Sequence, residues 1–170
     1  CLRGPSVMTG YFQNRAATEE SLSSDGWLDT GDIGYRVGAN IVVTARRKDV
    51  IIVNGRNIWP HDLEYLAETL PGVRFGNASA FSFSDEKGSD QVVMVVESRE
   101  NNPAKIRALV SELSTLMTEN FGIVCHIDLV PPRTLPRTSS GKLSRSKAKQ
   151  DFLARLELID GSGQVAGGNG

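Results

Sequence analysis

Hydrophobic positions change period along this chain, and the changes mark out its elements. Leu63, Leu66, Ala67 and Leu70 recur at helical spacing. Pro60 suits the first turn of that helix, its early acidic residues suit the helix dipole, and Pro71-Gly72 ends it. A longer stripe of Ile106, Leu109, Val110, Leu113, Leu116 and Met117 follows the capping residue Asn102 and stops at Phe121-Gly122. A third helix, basic at its start, is predicted over about 144–156. Between these lie β-type runs at 50–53, 75–83, 91–97 and 123–130, with a polar loop over 84–88. The pattern predicts a compact α+β domain over 50–157, built as a short antiparallel sheet flanked by helices.

Residues 1–44 read differently. They are rich in glycine and turn residues, with short β-type runs, and 33–36 and 40–44 are expected to pair as a hairpin. Too few apolar residues are present for a core of their own. This β-rich stretch is therefore expected to complete a sheet or barrel formed by chain lying upstream. Residues 45–49, Ala-Arg-Arg-Lys-Asp, are a charged break between two β-rich runs, either a solvated turn or a hinge. Residues 158–170 read as a flexible Gly-rich tail.

Composition narrows the classes. Of the 170 residues, 39% are hydrophobic and 23% charged, which fits a folded globular chain. The net charge of -1 argues against a nucleic-acid footprint. No apolar run approaches the roughly 18–20 residues needed to span a bilayer. Two cysteines, Cys1 and Cys125, make no disulfide framework and point to a reducing, cytoplasmic setting. His61 and His126 stand far apart, and no metal site of His and Cys is expected.

One stretch carries candidate chemistry by itself: Pro136-Arg137-Thr138-Ser139-Ser140-Gly141-Lys142-Leu143-Ser144-Arg145. A loop of small residues and hydroxyls with one glycine can bend close to an anion and present the Lys142 ammonium. It lacks the first glycine of a P-loop. Read from chemistry alone, a solvated basic loop before a helix fits equally well. A second stretch, Thr30-Gly31-Asp32, precedes the predicted hairpin; a carboxylate there can accept two vicinal hydroxyls.

Taken together these stretches resemble the adenylate-forming superfamily, which includes acyl-CoA synthetases, luciferases, peptide-synthetase adenylation domains and fatty acyl-AMP ligases. Pro-x-Thr-x-x-Gly-Lys-x-x-Arg matches its C-terminal motif, and Thr30-Gly31-Asp32 its Thr-Gly-Asp. Residues 45–60 match its Gly-Arg-x-Lys-Asp and Gly-x-x-Ile-x-Pro segments, with Ala45 where glycine is usual. The resemblance implies a small C-terminal lid domain over 50–157, a hinge at 45–49, and the end of the N-terminal domain's barrel at 1–44. It implies that Lys142 is the adenylation lysine, that Asp32 holds the ribose of ATP, and that Arg46 contacts ribose and phosphate. Lys48 falls at the hinge, and Gly55 lies where the acceptor's thiol arm passes the backbone; an ordinary turn glycine is the alternative for Gly55. Arg47 is expected to be a solvated neighbour.

Within the superfamily, residues 53–64 and Gly76-Asn77-Ala78-Ser79-Ala80-Phe81-Ser82 look most like the fatty acyl-AMP ligases. That branch implies activation of a fatty acid by Mg2+-ATP as acyl-adenylate, with release of pyrophosphate and transfer to an acyl carrier protein. The alternatives are a fatty acyl-CoA synthetase, with CoA as acceptor, and a non-catalytic module that docks a carrier protein. On any of the enzyme readings an upstream N-terminal domain supplies the remaining machinery, and this stretch alone is inactive.

Overall fold

A computed structural model describes residues 1–85 and 88–163. The chain divides into two compact units, Cys1–Lys48 and a second that begins at Asp49.

The first unit contains one short helix and one hairpin. Helix α1, Arg15–Ser21, is a departure from the β-rich reading. Its cap explains it: the Asn14 side chain accepts a hydrogen bond from the Ala17 amide, and helix-favouring alanines and glutamates follow. Seven residues are too few to show a period in sequence. Strands β1, Asp32–Val37, and β2, Asn40–Arg46, pair antiparallel across the two-residue loop Gly38-Ala39. A bulge interrupts the register after Ile33. At that point Gly34 approaches the partner strand so closely that a Cβ would sit 2.5 Å from the Val42 carbonyl oxygen. A 3-10 turn, Arg47–Asp49, follows β2.

The second unit is the α+β domain. Strands β3, Ile51–Val53, and β4, Arg56–Ile58, form a small hairpin. Its loop is Asn54-Gly55, with φ of 51° and 73°. Two positive φ values in a two-residue loop define a type I′ turn, which Asn-Gly favours. Helix α2, Pro60–Ala67, follows, then β5, Ala78–Ser84, and β6, Asp90–Glu97. Helix α3, Pro103–Phe121, is capped by the Asn102 side chain on the Ala104 amide and stops at Gly122. Strand β7, Cys125–Val130, and helix α4, Arg145–Gly163, complete the unit.

The main sheet runs β5-β6-β7. It is mixed rather than wholly antiparallel: β5 and β6 are antiparallel, and β7 joins β6 in parallel. The cause is connectivity, because a 19-residue helix between β6 and β7 acts as a crossover that returns the chain in the same direction. Central β6 is covered on both faces. Val92, Met94 and Val96 join a core with Leu63, Leu113 and Met117 of α2 and α3. Val93 and Val95 join a second core with Phe81, Ala148 and Phe152, the last two from α4. The alternation of side chains along a strand thus feeds two cores at once.

Helix α4 extends beyond Leu156 to Gly163, into the stretch expected to be a tail; residues 164–170 of that tail lie outside the described residues. Both cysteines are free. Cys125 is buried, and burial pushes its thiol up to about 12. No helix among the described residues is long and apolar enough to cross a membrane.

Candidate functional site

Lys142 sits near the end of a tight reversal between β7 and α4. Arg137 and Leu143 form an antiparallel bridge. Inside it the Thr138 amide donates to the Lys142 carbonyl at 2.8 Å, and the Gly141 amide to the Thr138 carbonyl at 2.8 Å. The Thr138 hydroxyl accepts from the Lys142 amide at 3.2 Å and lies 3.0 Å from the Ser140 hydroxyl. The small residues and hydroxyls therefore do local work: they close the loop on itself. Outside it, the Arg137 guanidinium donates to the carbonyls of Gly76 and Gly141 and to the Asn77 side chain. The Lys142 side chain is exposed and makes no ion pair among the described residues. With the backbone pinned, only the Lys142 side chain is left to order when its ammonium meets an external anion.

At the other end of this loop, Arg145 opens α4 and enters a cluster of charges. Its guanidinium grips both oxygens of Glu64, at 2.7 and 2.6 Å, and reaches Asp49 at 3.3 Å. Glu64 is buried, and one of its oxygens also accepts the Ala80 amide of β5 at 2.9 Å. The hydrogen bonds to Glu64 hold the Arg145 pKa above its ordinary value, against desolvation. Removing one partner of such a largely buried pair costs on the order of 3–5 kcal/mol.

In the first unit, Asp32 and Arg46 face each other directly across the hairpin, with the Arg46 Nε 3.5 Å from an Asp32 oxygen. Both are exposed. The turn before them is held by Asp29, which accepts the Gly31 amide at 2.8 Å and pairs with Arg47 at 2.8 Å. Arg47 also donates its amide to the Gly31 carbonyl at 2.7 Å. Arg47 is therefore more than a solvated neighbour: it fastens the Thr-Gly-Asp turn. Its hydrogen bond is the first cause that holds the Asp29 carboxyl below the usual carboxylate range, and the Gly31 amide is the second.

Among the expected site residues, the structure thus brings Asp32 and Arg46 together. Lys48 is exposed and is the last residue of the first unit. Gly55 is at the tip of the β3-β4 turn, where a Cβ would meet nothing within 4 Å. Its need for glycine in this state comes from its positive φ. No hydrogen bond or ion pair joins Gly55 to Lys142 among the described residues. No group of three His, Cys, Asp or Glu among the described residues is arranged to hold a metal ion.

Sequence reading missed the Arg145-Glu64-Asp49 cluster, whose members are 81 and 96 residues apart. It also missed the β4 strand, although Asn-Gly between Val53 and Arg56 is a strong hairpin signal.

Comparison with known proteins places this geometry. No family model matches the chain. A protein of Caulobacter vibrioides named as an acyl-CoA synthetase is 48% identical over 153 residues, covering 89% of this chain and 27% of the relative. Fatty acyl-adenylate ligases from E. coli and L. pneumophila give a structure with TM-score 0.79 and 38% identity, covering 92% of this chain and 27% of that one. The McyG A-PCP structure with phenylalanyl-adenylate gives TM-score 0.80 and 30% identity, covering 94% of this chain and 30% of that one. These relatives and structural neighbours are adenylate-forming ligases, and it is that family the chain is similar to. It matches their C-terminal part and spans 27–30% of the length of these three proteins. Its second unit has the α+β fold of the C-terminal domain of adenylate-forming enzymes, whose members use ATP.

Proposed function

We propose that this chain is the lid-bearing portion of a fatty acyl-AMP ligase and that Lys142 serves the adenylation half-reaction. The observation that carries the reading is the exposed Lys142 ammonium, without an ion pair among the described residues, on a loop whose backbone is held from both sides. In this reaction a fatty-acid carboxylate oxygen attacks the α-phosphorus of ATP. The bond from that phosphorus to the bridging oxygen breaks, and pyrophosphate leaves. Attack brings two anions together, and a cation placed at the reacting oxygens stabilises the charge that develops. Asp32 accepts the ribose hydroxyls, and Arg46 beside it contacts ribose and phosphate. Mg2+, when bound, offsets charge on the phosphates.

In the second half-reaction a phosphopantetheine thiol attacks the acyl carbon and AMP leaves. Lys142 has no role there. The lid pivots at Lys48, a position supported by the unit boundary after that residue. The turn at Gly55 then borders the passage of the thiol arm. Residues 1–44 belong to the N-terminal domain's barrel, a reading supported by the exposure of Tyr35, Val37, Ile41 and Val43 on the hairpin. The upstream domain supplies the acyl pocket and the rest of the ATP site, the enzyme is cytoplasmic, and the chain alone is inactive.

The fatty acyl-adenylate ligase structure supports the fatty-acid branch, and the McyG A-PCP structure supports a carrier protein as acceptor. The Caulobacter relative favours a second reading, in which CoA is the acceptor. Side-by-side transfer to CoA and to a carrier protein separates the two. The central test is Lys142→Ala in the enzyme that carries this segment. Acyl-AMP formation is expected to fall about 10²–10³-fold, the usual cost of losing one positioned charge. Thiol transfer from supplied acyl-AMP should be nearly unchanged. Equal loss in both assays overturns the proposal.

A further inference from the structure

Three motif segments that are separate in sequence end in residues that meet in space. Asp49 closes the charged segment 45–49, Glu64 closes the Pro-His-Asp-Leu-Glu turn of α2, and Arg145 closes the Gly-Lys-x-x-Arg loop. Arg145 joins the other two through one planar guanidinium: Nε and Nη2 to Glu64, Nη1 to Asp49. Glu64 is the buried anchor, with 7% of its surface exposed, and it is tied in turn to the β5 backbone at Ala80.

The placement gives this cluster a mechanical meaning. Asp49 is the first residue of the second unit, immediately after Lys48. Arg145 is three residues beyond Lys142, separated from it by Leu143, which packs partly into the second core, and Ser144, whose amide donates to Pro136. The upstream side of the loop is held by Arg137 on Gly76 and Asn77. The downstream side has the Glu64 and Asp49 contacts, and these lead from the loop to the residue next to Lys48.

We propose that Arg145 is a positioning residue for Lys142: its fork on Glu64 and Asp49 locks the segment beside the pivot to the loop that carries the ammonium. This rests on the adenylation role of Lys142 given above. A lid that turns about Lys48 delivers a distant side chain accurately only if nothing between pivot and tip flexes. Positioning within about 1 Å is what catalysis by a fixed charge requires. An arginine suits the task, because three fixed donors satisfy two carboxylates at defined angles. Lysine keeps the charge and loses the fork.

The test uses Arg145→Lys and Asp49→Asn in the complete enzyme, beside Lys142→Ala, with folding checked by thermal melting. Arg145→Lys is expected to slow acyl-AMP formation about tenfold or more while transfer from supplied acyl-AMP stays within about twofold. Asp49→Asn, which removes the carboxylate charge facing the longer of the Arg145 contacts, should show the same split at smaller size. A cluster that only stabilises the fold predicts a lowered melting temperature with both half-reactions reduced alike, or neither reduced; either result overturns the positioning role. Should Arg145→Lys fail to fold, the Asp49→Asn split decides, and its absence counts against the proposal. Failure of the underlying reading looks different: Lys142→Ala would then retain acyl-AMP formation or lose both half-reactions alike.

Discussion

The two units hold themselves together by different means. From Asp49 onward, sheet strands and helices bury two cores, and β6 contributes five consecutive buried apolar residues to them. In Cys1–Lys48 no residue is buried, and Tyr35, Val37, Ile41 and Val43 stand more than half exposed. There the order rests on backbone pairing, the Asn14 cap, and the Asp29-Arg47 and Asp32-Arg46 ion pairs. The lesson concerns where candidate chemistry can sit. The second unit can afford an exposed lysine on a loop because its scaffold is stabilised elsewhere. In the first unit the residues proposed to meet nucleotide are themselves part of the framework.

The contrast is most directly broken by core truncation. Met94→Ala should cost about 2–5 kcal/mol, because Met94 is fully buried beneath α2 and α3. Ile41→Ala, at 70% exposure, should change stability by less than about 0.5 kcal/mol in the same denaturant titration. Comparable losses at the two sites would mean that the hairpin has a core after all.

A sharper probe stays within the first unit. Gly34→Ala puts a methyl 2.5 Å from the Val42 carbonyl, so one strand must move. The expected cost is about 1–3 kcal/mol, the range for overpacking, read as lost amide protection in β1 and β2 while β5 to β7 keep theirs. The smallest expected effect concerns Asp29. Arg47 and the Gly31 amide depress its folded pKa, so its contribution is complete above the ordinary carboxylate range. It is lost as pH falls through the depressed value. Titration of the Asp29 carboxyl by NMR should show the depression, and Arg47→Gln should reduce it. An unchanged titration would leave the Gly31 amide, rather than Arg47, as its main cause.

How far the sequence was legible follows from the same contrast. Long periodic elements declared themselves: the α3 stripe of Leu109, Leu113 and Met117 is the buried face, and Asn102 is its cap. The hairpin over 33–44 was visible from its Gly-Ala-Asn turn. Two short elements were missed: α1, whose seven residues fall short of two helical periods, and β4, whose three residues follow an Asn-Gly turn signal that was passed over. The parallel pairing of β7 was hidden because periodicity gives a strand's faces but not its direction. Among the candidate site residues, Lys142, Asp32 and Arg46 stood out in the sequence as members of motifs, and their roles remain the proposal made above. Glu64 was not, because a carboxylate on a helix reads as solvent-facing unless its guanidinium partner, 81 residues away, is known. Arg47 hid in the same way, as one cation in a charged run.

The two-sided coverage of β6 has a price during synthesis. Val92-Val93-Met94-Val95-Val96 is an uncharged, proline-free β-forming window of the kind that self-associates when bare. One edge can pair with β5 at once, but its other edge waits for β7, whose first residue is Cys125. A nascent chain that has emerged only as far as Glu97 therefore shows an unpaired, sticky border until α3 has been made and the strand beyond it arrives. Chains cut short inside α3 should be the ones that aggregate, and those that reach Val130 should not.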